Sequence, residues 1–250
     1  MIKNVLFGIK AYAGTFKLIN QLKLWKYFAV PIGISFITAA GIAFAAYGLS
    51  DNLAALFQKL WPWEWGSETF QTIGVLTGAL LIIAVGLILY KHTVMALSAP
   101  FMGPVSEKIE AYLLKPRVEA GKSSFMAQLW RGIRINTRNL LMELFFSIPI
   151  FILGFIPLIG FLAAPLLFLV QSYYAGFGNM DYTLERHYSY NESVRFVSGH
   201  RGLAIGNGSI FMLMLLIPVI GIILVLPLSV TAATTETVKR IYPSEEFNVR

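Results

Sequence analysis

Three arginines, Arg131, Arg134 and Arg138, follow one another at spacings of three and four in the stretch "WRGIRINTRNLL". On an α-helix those spacings put three guanidiniums on one face. Such a face collects anions, either a small solute oxyanion or the phosphates of lipid headgroups. A second stretch, "RGLAIGNGS", offers another anion chemistry. At a helix start, Gly206, Asn207, Gly208 and Ser209 can aim backbone N–H groups at an oxyanion. The other reading of them is a flexible re-entry loop in which Ser209 is an ordinary cap. Lys23 and Lys26 add positive charge just ahead of the first long apolar run. Catalytic chemistry is thin. The chain has no cysteine, which removes thiolate nucleophiles, disulfides and Cys metal sites. His92, His187 and His200 stand far apart, so no metal site is expected. No Ser-His-Asp order, HExxH or phosphate loop is visible. The reading is of a protein that is not an enzyme and needs no cofactor.

The elements that must position these residues are apolar. Hydrophobic residues make up 56% of the 250 and charged ones 13%, against about 25% charged in a soluble domain. Uncharged runs fill 27–50, 69–90, 144–180 and 202–235, and each reaches the roughly 20 apolar residues that a spanning helix needs. The expected class is an all-α integral membrane protein with one membrane domain. The net charge of +7 fits the Lys/Arg excess of cytoplasmic loops rather than nucleic-acid binding. Residues 1–26 hold five basic residues and no acid, 51–68 hold three acids and one lysine, and 91–138 hold eight basic residues and three acids. The N-terminus and 91–138 therefore read as inside, and 51–68 as outside.

Along the chain, 1–22 has helical apolar spacing with Lys3, Lys10 and Lys17 on another face. Such a helix lies in the headgroup region or packs on its own bundle. Residues 26–50 and 69–90 read as two full spans. The loop between them carries "WPWEW", Trp61 to Trp65, read as an interfacial aromatic belt. Pro100 and Pro104 are expected to end the second span and open a new helix, so that 96–142 forms cytoplasmic helices.

The remaining apolar runs repeat one pattern. "GFIPLIGFLAAP" (154–165) and "LIPVIGIILVLP" (216–227) each place a proline and a glycine at the centre of an uncharged stretch. Pro157 and Gly160 divide the first, and Pro218 and Gly221 the second. Halves of roughly 13 residues reach only ~20 Å, short of a hydrocarbon core about 30 Å thick. The spacing predicts two re-entrant hairpins, 144–177 and 207–235, joined by a cytoplasmic loop at 181–201, with both termini cytoplasmic. Two kinked full spans are the competing arrangement. Irregular backbone at that depth needs cover from protein or water, which favours a homo-oligomer.

On these segments the chain resembles the CysZ sulfate permease group and the wider etoposide-induced-protein family. The resemblance covers nearly the whole chain. It rests on "LWKYFAVP", "LSAPFMGPVSEKIE", "WRGIRINTRNLL", "YYAGFGNMDYTLERHYSY" and the two hairpin motifs. It implies two long transmembrane helices with two partly penetrating hairpins. It also implies an oligomeric, channel-like permease that passes sulfate across the bacterial inner membrane for cysteine synthesis. A sulfate-contacting Gly-Leu-Arg motif is implied before the first span, where this chain reads Lys23 to Lys26. The anion-contacting set expected on this reading is Lys23, Lys26, Arg131, Arg134, Arg138 and the turn from Gly206 to Ser209. The alternative is a non-transporting member of the same family that binds lipid or a protein partner.

Overall fold

The computed structural model describes residues 1–59, 67–114, 124–154, 156, 160–217 and 220–243. The tryptophan loop, the turn after Leu114, Pro157 and Pro218 lie outside the described residues. Among the described residues every regular element is helical: α1 (Ile2–Lys10), α2 (Thr15–Gln21), α3 (Trp25–Lys59), α4 (Ser67–Leu114), α5 (Phe125–Leu153), a 3-10 turn at Gly160–Leu162, α6 (Ala163–Leu184), α7 (Tyr190–Gly199), α8 (Arg201–Leu215) and α9 (Ile220–Ile241). Trp25–Gly48, Phe125–Leu153 and Gly160–Leu184 are each long and apolar enough to cross a bilayer. The protein is an all-α integral membrane protein.

Two units divide the chain: 1–34 with 92–250, and 35–91. In the second, Gly86 lies against Ile42, and a Cβ at Gly86 would fall on the Ile42 side chain. The glycine therefore lets the two helices cross closely. The first unit carries the remaining helices around a core of Ile135, Phe177, Met180, Leu184, Val197, Leu203, Ala204 and Ala233.

Sequence expectations shift in four places. The N-terminal amphipathic segment is two helices. Gly14 sits at φ 89°, where a left-handed residue ends one helix and starts another without a Cβ penalty. Thr15 Oγ1 donates to Tyr12 O across the break (2.9 Å). Of the two placements open to that segment, packing within the bundle is realised for α1: Gly8 is buried against α8, where its Cβ would meet Leu203 O at 2.6 Å. Second, Pro100 and Pro104 lie inside α4 rather than between helices. A proline costs a helix interior about 3 kcal/mol or more. Here the surrounding turns are buried through Ser98, Ala99, Met102, Val105 and Ser106, and that packing outweighs the lost hydrogen bonds. Third, the arginine helix and the first arm of the 144–177 stretch are one helix, α5. Its N-cap Ser124 accepts from Ala127 N at 3.2 Å, which settles Ser124 over Ser123. Fourth, the 181–201 loop is mostly helix. α6 continues to Leu184, and α7 opens on a capping box of Ser189 and Glu192.

The two Pro/Gly repeats share a local geometry. At the first, Gly160 N donates to Ile156 O (2.8 Å), and at the second Gly221 N donates to Ile217 O (2.8 Å). A Cβ at Gly160 would strike Gly154 O, and one at Gly221 would strike Met214 O. Each glycine lets the returning chain press against the helix it has just left. α5 then packs on α6, and α8 on α9.

Candidate anion site

The three arginines of α5 share a face, but their surroundings differ. Arg131 Nε and Nη2 donate to Asp181 Oδ2 (3.2 Å) and Oδ1 (2.9 Å). Its Nη1 donates to Tyr188 O at 2.8 Å, and Nη2 also to Ser193 Oγ at 2.8 Å. The fork is occupied by the protein, so Arg131 ties α5 to α6 and α7. Arg134 is exposed and stacks its guanidinium 4.1 Å from the Tyr190 ring centroid. Arg138 is half-buried, donates to Asn139 Oδ1 (3.0 Å) and lies 5.2 Å from the Phe177 centroid. Among the described residues no carboxylate pairs with Arg134 or Arg138.

Arg138 lines a cavity of about 480 Å³ with Arg201, Ser198, Tyr173 and Tyr174. Arg201 opens α8 and donates from Nε to Ser198 O at 3.1 Å. It escaped the sequence reading because it is a lone arginine next to a glycine-rich stretch. The clue it did offer is its position one residue before the fourth apolar run.

Lys23 and Lys26 are exposed and belong to a different cluster. Lys23 adopts φ 54° between α2 and α3, a left-handed conformation that costs a side-chain-bearing residue about 1–3 kcal/mol. Lys26 Nζ and Lys108 Nζ lie 5.2 and 5.1 Å from the Tyr27 ring centroid, so one aromatic ring gathers two ammonium groups.

Gly206, Asn207, Gly208 and Ser209 do not open a helix. α8 begins at Arg201, which corrects the expected helix start and places their N–H groups inside the helical ladder. A Cβ at Gly206 would strike Val5 O, and one at Gly208 would strike Ser172 O. These glycines let α8 press against α1 on one side and α6 on the other. Asn207 Nδ2 donates to Ser229 O (3.0 Å) and Asn207 Oδ1 accepts from Asn179 (2.9 Å). Tyr12 Oη lies 2.8 Å from Asn207 O and 2.7 Å from Ser229 Oγ. Ser209 Oγ donates to Ile205 O at 2.7 Å.

A second charged cluster lies just past the end of α6. Glu110 meets Arg186 Nη2 at 2.7 Å and His187 Nε2 at 2.7 Å. Burial alone would raise the Glu110 carboxyl, but the close His187 contact and the hydrogen bond from Arg186, with their charge, hold it below the usual carboxylate range. The pair fastens the end of α6 to α4. No group of metal-ligating residues occurs among the described residues.

Residues 11–226 match the family described as "Sulfate transporter CysZ/Etoposide-induced protein 2.4". Several curated relatives carry the name "Sulfate transporter CysZ". That of Pseudomonas syringae pv. tomato is 28% identical over 223 residues, covering 87% of this chain and 86% of its own. That of Pseudomonas fluorescens strain Pf0-1 is 28% identical over 243 residues, 92% of each. That of Pseudomonas fluorescens strain SBW25 is 32% identical over 147 residues, 55% of each.

Proposed function

The chain belongs to the sulfate transporter CysZ/etoposide-induced protein 2.4 family, and from that premise we propose that it is a channel-like permease, not an enzyme, that passes sulfate across the bacterial inner membrane for cysteine synthesis. The observation that carries this reading is the extent of the similarity. The match runs from residue 11 to residue 226, through α8 and into the start of α9, and relatives named for sulfate transport align over about nine-tenths of the chain.

The geometry supports a partly penetrating arrangement. α5 as a whole is long enough to cross, but its exposed apolar residues after Arg138 run only from Leu141 to Leu153. On the 3-10 turn and α6 they run from Phe161 to Leu169, and from Tyr174 to Leu184 every residue is buried in protein. Counted from Arg138 to Leu153, the lipid-facing arm is ~22 Å, against a core of about 30 Å. α8 from Arg201 to Leu215 is ~21 Å by the same rise. Both helix pairs then enter and leave on one side, with α7 and both termini in the cytoplasm. Turns held at that depth need cover, which neighbouring copies in a homo-oligomer supply. Arg134 on α5, and separately Lys23 and Lys26 ahead of the first long helix, are the exposed cations that gather sulfate, because charge of one sign raises local anion concentration.

Sulfate uptake into liposomes holding the purified protein tests this reading. Accelerated entry above protein-free liposomes is expected. No flux, beside tight lipid or partner binding, would transfer the chain to the non-transporting alternative. The topology is tested with Asn191→Cys at the exposed start of α7, in a chain that has no other cysteine. Labelling is expected only from the cytoplasmic side; labelling from outside makes the 144–180 run a full span.

A further inference from the structure

We propose that the cavity between α5, α6 and α8 is a phospholipid site. Arg138 and Arg201 hold the phosphate of an anionic headgroup there, and an acyl chain follows the apolar wall of Met142, Phe146 and Leu169.

The cavity is chemically two-ended. Along α5 its lining runs from Arg138 to Met142 to Phe146, one turn after another on a single face. Phe146 therefore stands ~12 Å beyond the arginine along the helix. α6 returns in the opposite sense, so Leu169 lies at the apolar level and Tyr173 and Tyr174 at the level of Arg138. α8 starts at that same level with Arg201 and reaches Ile205 one turn on. Cations and hydroxyls are thus gathered at one end and hydrocarbon at the other.

The depth fits a headgroup. Beyond Arg138 the exposed residues of α5 turn apolar, with Leu141, Phe145 and Ile148 all more than half exposed. Tyrosines at the boundary of such a band are where amphipathic rings settle in a membrane. The charge also fits. Neither arginine is paired with a carboxylate among the described residues, so two guanidiniums line one cavity with no counter-ion from those residues. A guanidinium meets phosphate oxygens with a bidentate fork, and two of them favour a headgroup of net negative charge over a zwitterionic one. A free oxyanion shares this charge chemistry but has no use for the apolar wall, and about 480 Å³ is far more room than a tetrahedral ion fills.

The test is native mass spectrometry of the full-length protein in detergent, titrated with phosphatidylglycerol or phosphatidylcholine. One phosphatidylglycerol is expected to bind in preference to phosphatidylcholine. Affinity should drop roughly fivefold for each arginine removed, in Arg201→Gln and in the Arg138→Gln/Arg201→Gln pair. Arg201 is exposed at a helix start, so the single variant decides the matter if the pair does not fold. Leu169→Trp leaves both arginines in place and fills the acyl path from a lipid-facing position. It should weaken phosphatidylglycerol binding as well. Unchanged binding in Leu169→Trp, unchanged binding without the arginines, or displacement of the lipid by excess inorganic sulfate would each overturn the proposal. None of these readouts depends on sulfate flux, so the transport reading stands or falls separately.

Discussion

Arg131 and Asp181 form a two-point ion pair between α5 and α6, at 3.2 and 2.9 Å, with the side chains 18% and 6% exposed. Two further donations, to Tyr188 O and Ser193 Oγ, complete the fork. Removing the arginine strands a buried carboxylate, which costs about 3–5 kcal/mol. Arg131→Gln should therefore lower the thermal midpoint in detergent strongly, and Arg131→Lys should recover only part of it, since an ammonium cannot reproduce the fork. Arg134→Gln, exposed and stacked only on Tyr190, should stay within about 0.5 kcal/mol of wild type. Equal midpoints for the Arg131 and Arg134 variants would show that the pair does not hold these helices.

Glu185 sits beside that pair without joining it. Its Oε1 is buried with no hydrogen-bond partner. Burial and then the Asp181 charge push its pKa from the ordinary 4.5 up to about 8, against the pull of Arg186 and Arg131. The folded protein therefore holds a proton at pH 7 that the unfolded chain has released. Where the unfolded state binds fewer protons, stability falls as pH rises. The loss should begin near pH 4.5 and finish near pH 8. Glu185→Gln mimics the protonated form, so its thermal midpoint should be flatter across that window. A wild-type midpoint that rises with pH there, with Glu185→Gln tracking it, refutes the assignment.

Much of this architecture is legible in the sequence because it depends on length and breakers. The apolar runs, the two Pro/Gly repeats and the arginine spacing all mark real features of α5, α6, α8 and α9. What escapes is decided by tertiary contact. Pro100 and Pro104 read as a helix boundary because local propensity has no view of the buried turns around them. The glycines of "RGLAIGNGS" read as a helix start or a flexible loop because close helix contact and chain flexibility use the same residue. The fate of Arg131 depended on Asp181, fifty positions away, and the Arg138–Arg201 cavity exists only because α6 and α7 fold back between them.

The glycine contacts give a graded test. At Gly208 and Gly176 an added Cβ would strike the backbone oxygens Ser172 O and Ala204 O, whereas at Gly33 and Gly41 nothing among the described residues lies within 4 Å. Backbone cannot swing aside as a side chain can. Gly208→Ala and Gly176→Ala should each cost at least the 1–3 kcal/mol typical of overpacking. Gly33→Ala and Gly41→Ala lie within α3 and should be neutral or stabilising, by up to about 1 kcal/mol of helix propensity. Thermal unfolding of the four variants side by side checks the order, and a Gly41→Ala loss as large as that of Gly208→Ala would remove the close crossing as its cause.

Lys23 combines two effects that substitution separates. Its φ of 54° is a conformation glycine adopts freely, and the family resemblance places a glycine-leucine-arginine motif at this point of the chain. Its ammonium is exposed and belongs to the cation set proposed to gather sulfate. Lys23→Gly removes both the strain and the charge, while Lys23→Gln removes the charge alone. The glycine variant should therefore be more stable than wild type by about 1 kcal/mol, and the glutamine variant should match wild type. In liposome sulfate uptake both should fall together, with a weaker dependence of flux on ionic strength than wild type shows, because the steering charge is missing in both. Flux that drops in Lys23→Gly but not in Lys23→Gln would mean that the rigid left-handed turn, not the ammonium, is what transport requires of this residue. Flux unchanged in both would leave Lys26 and Arg134 as the cations that gather sulfate.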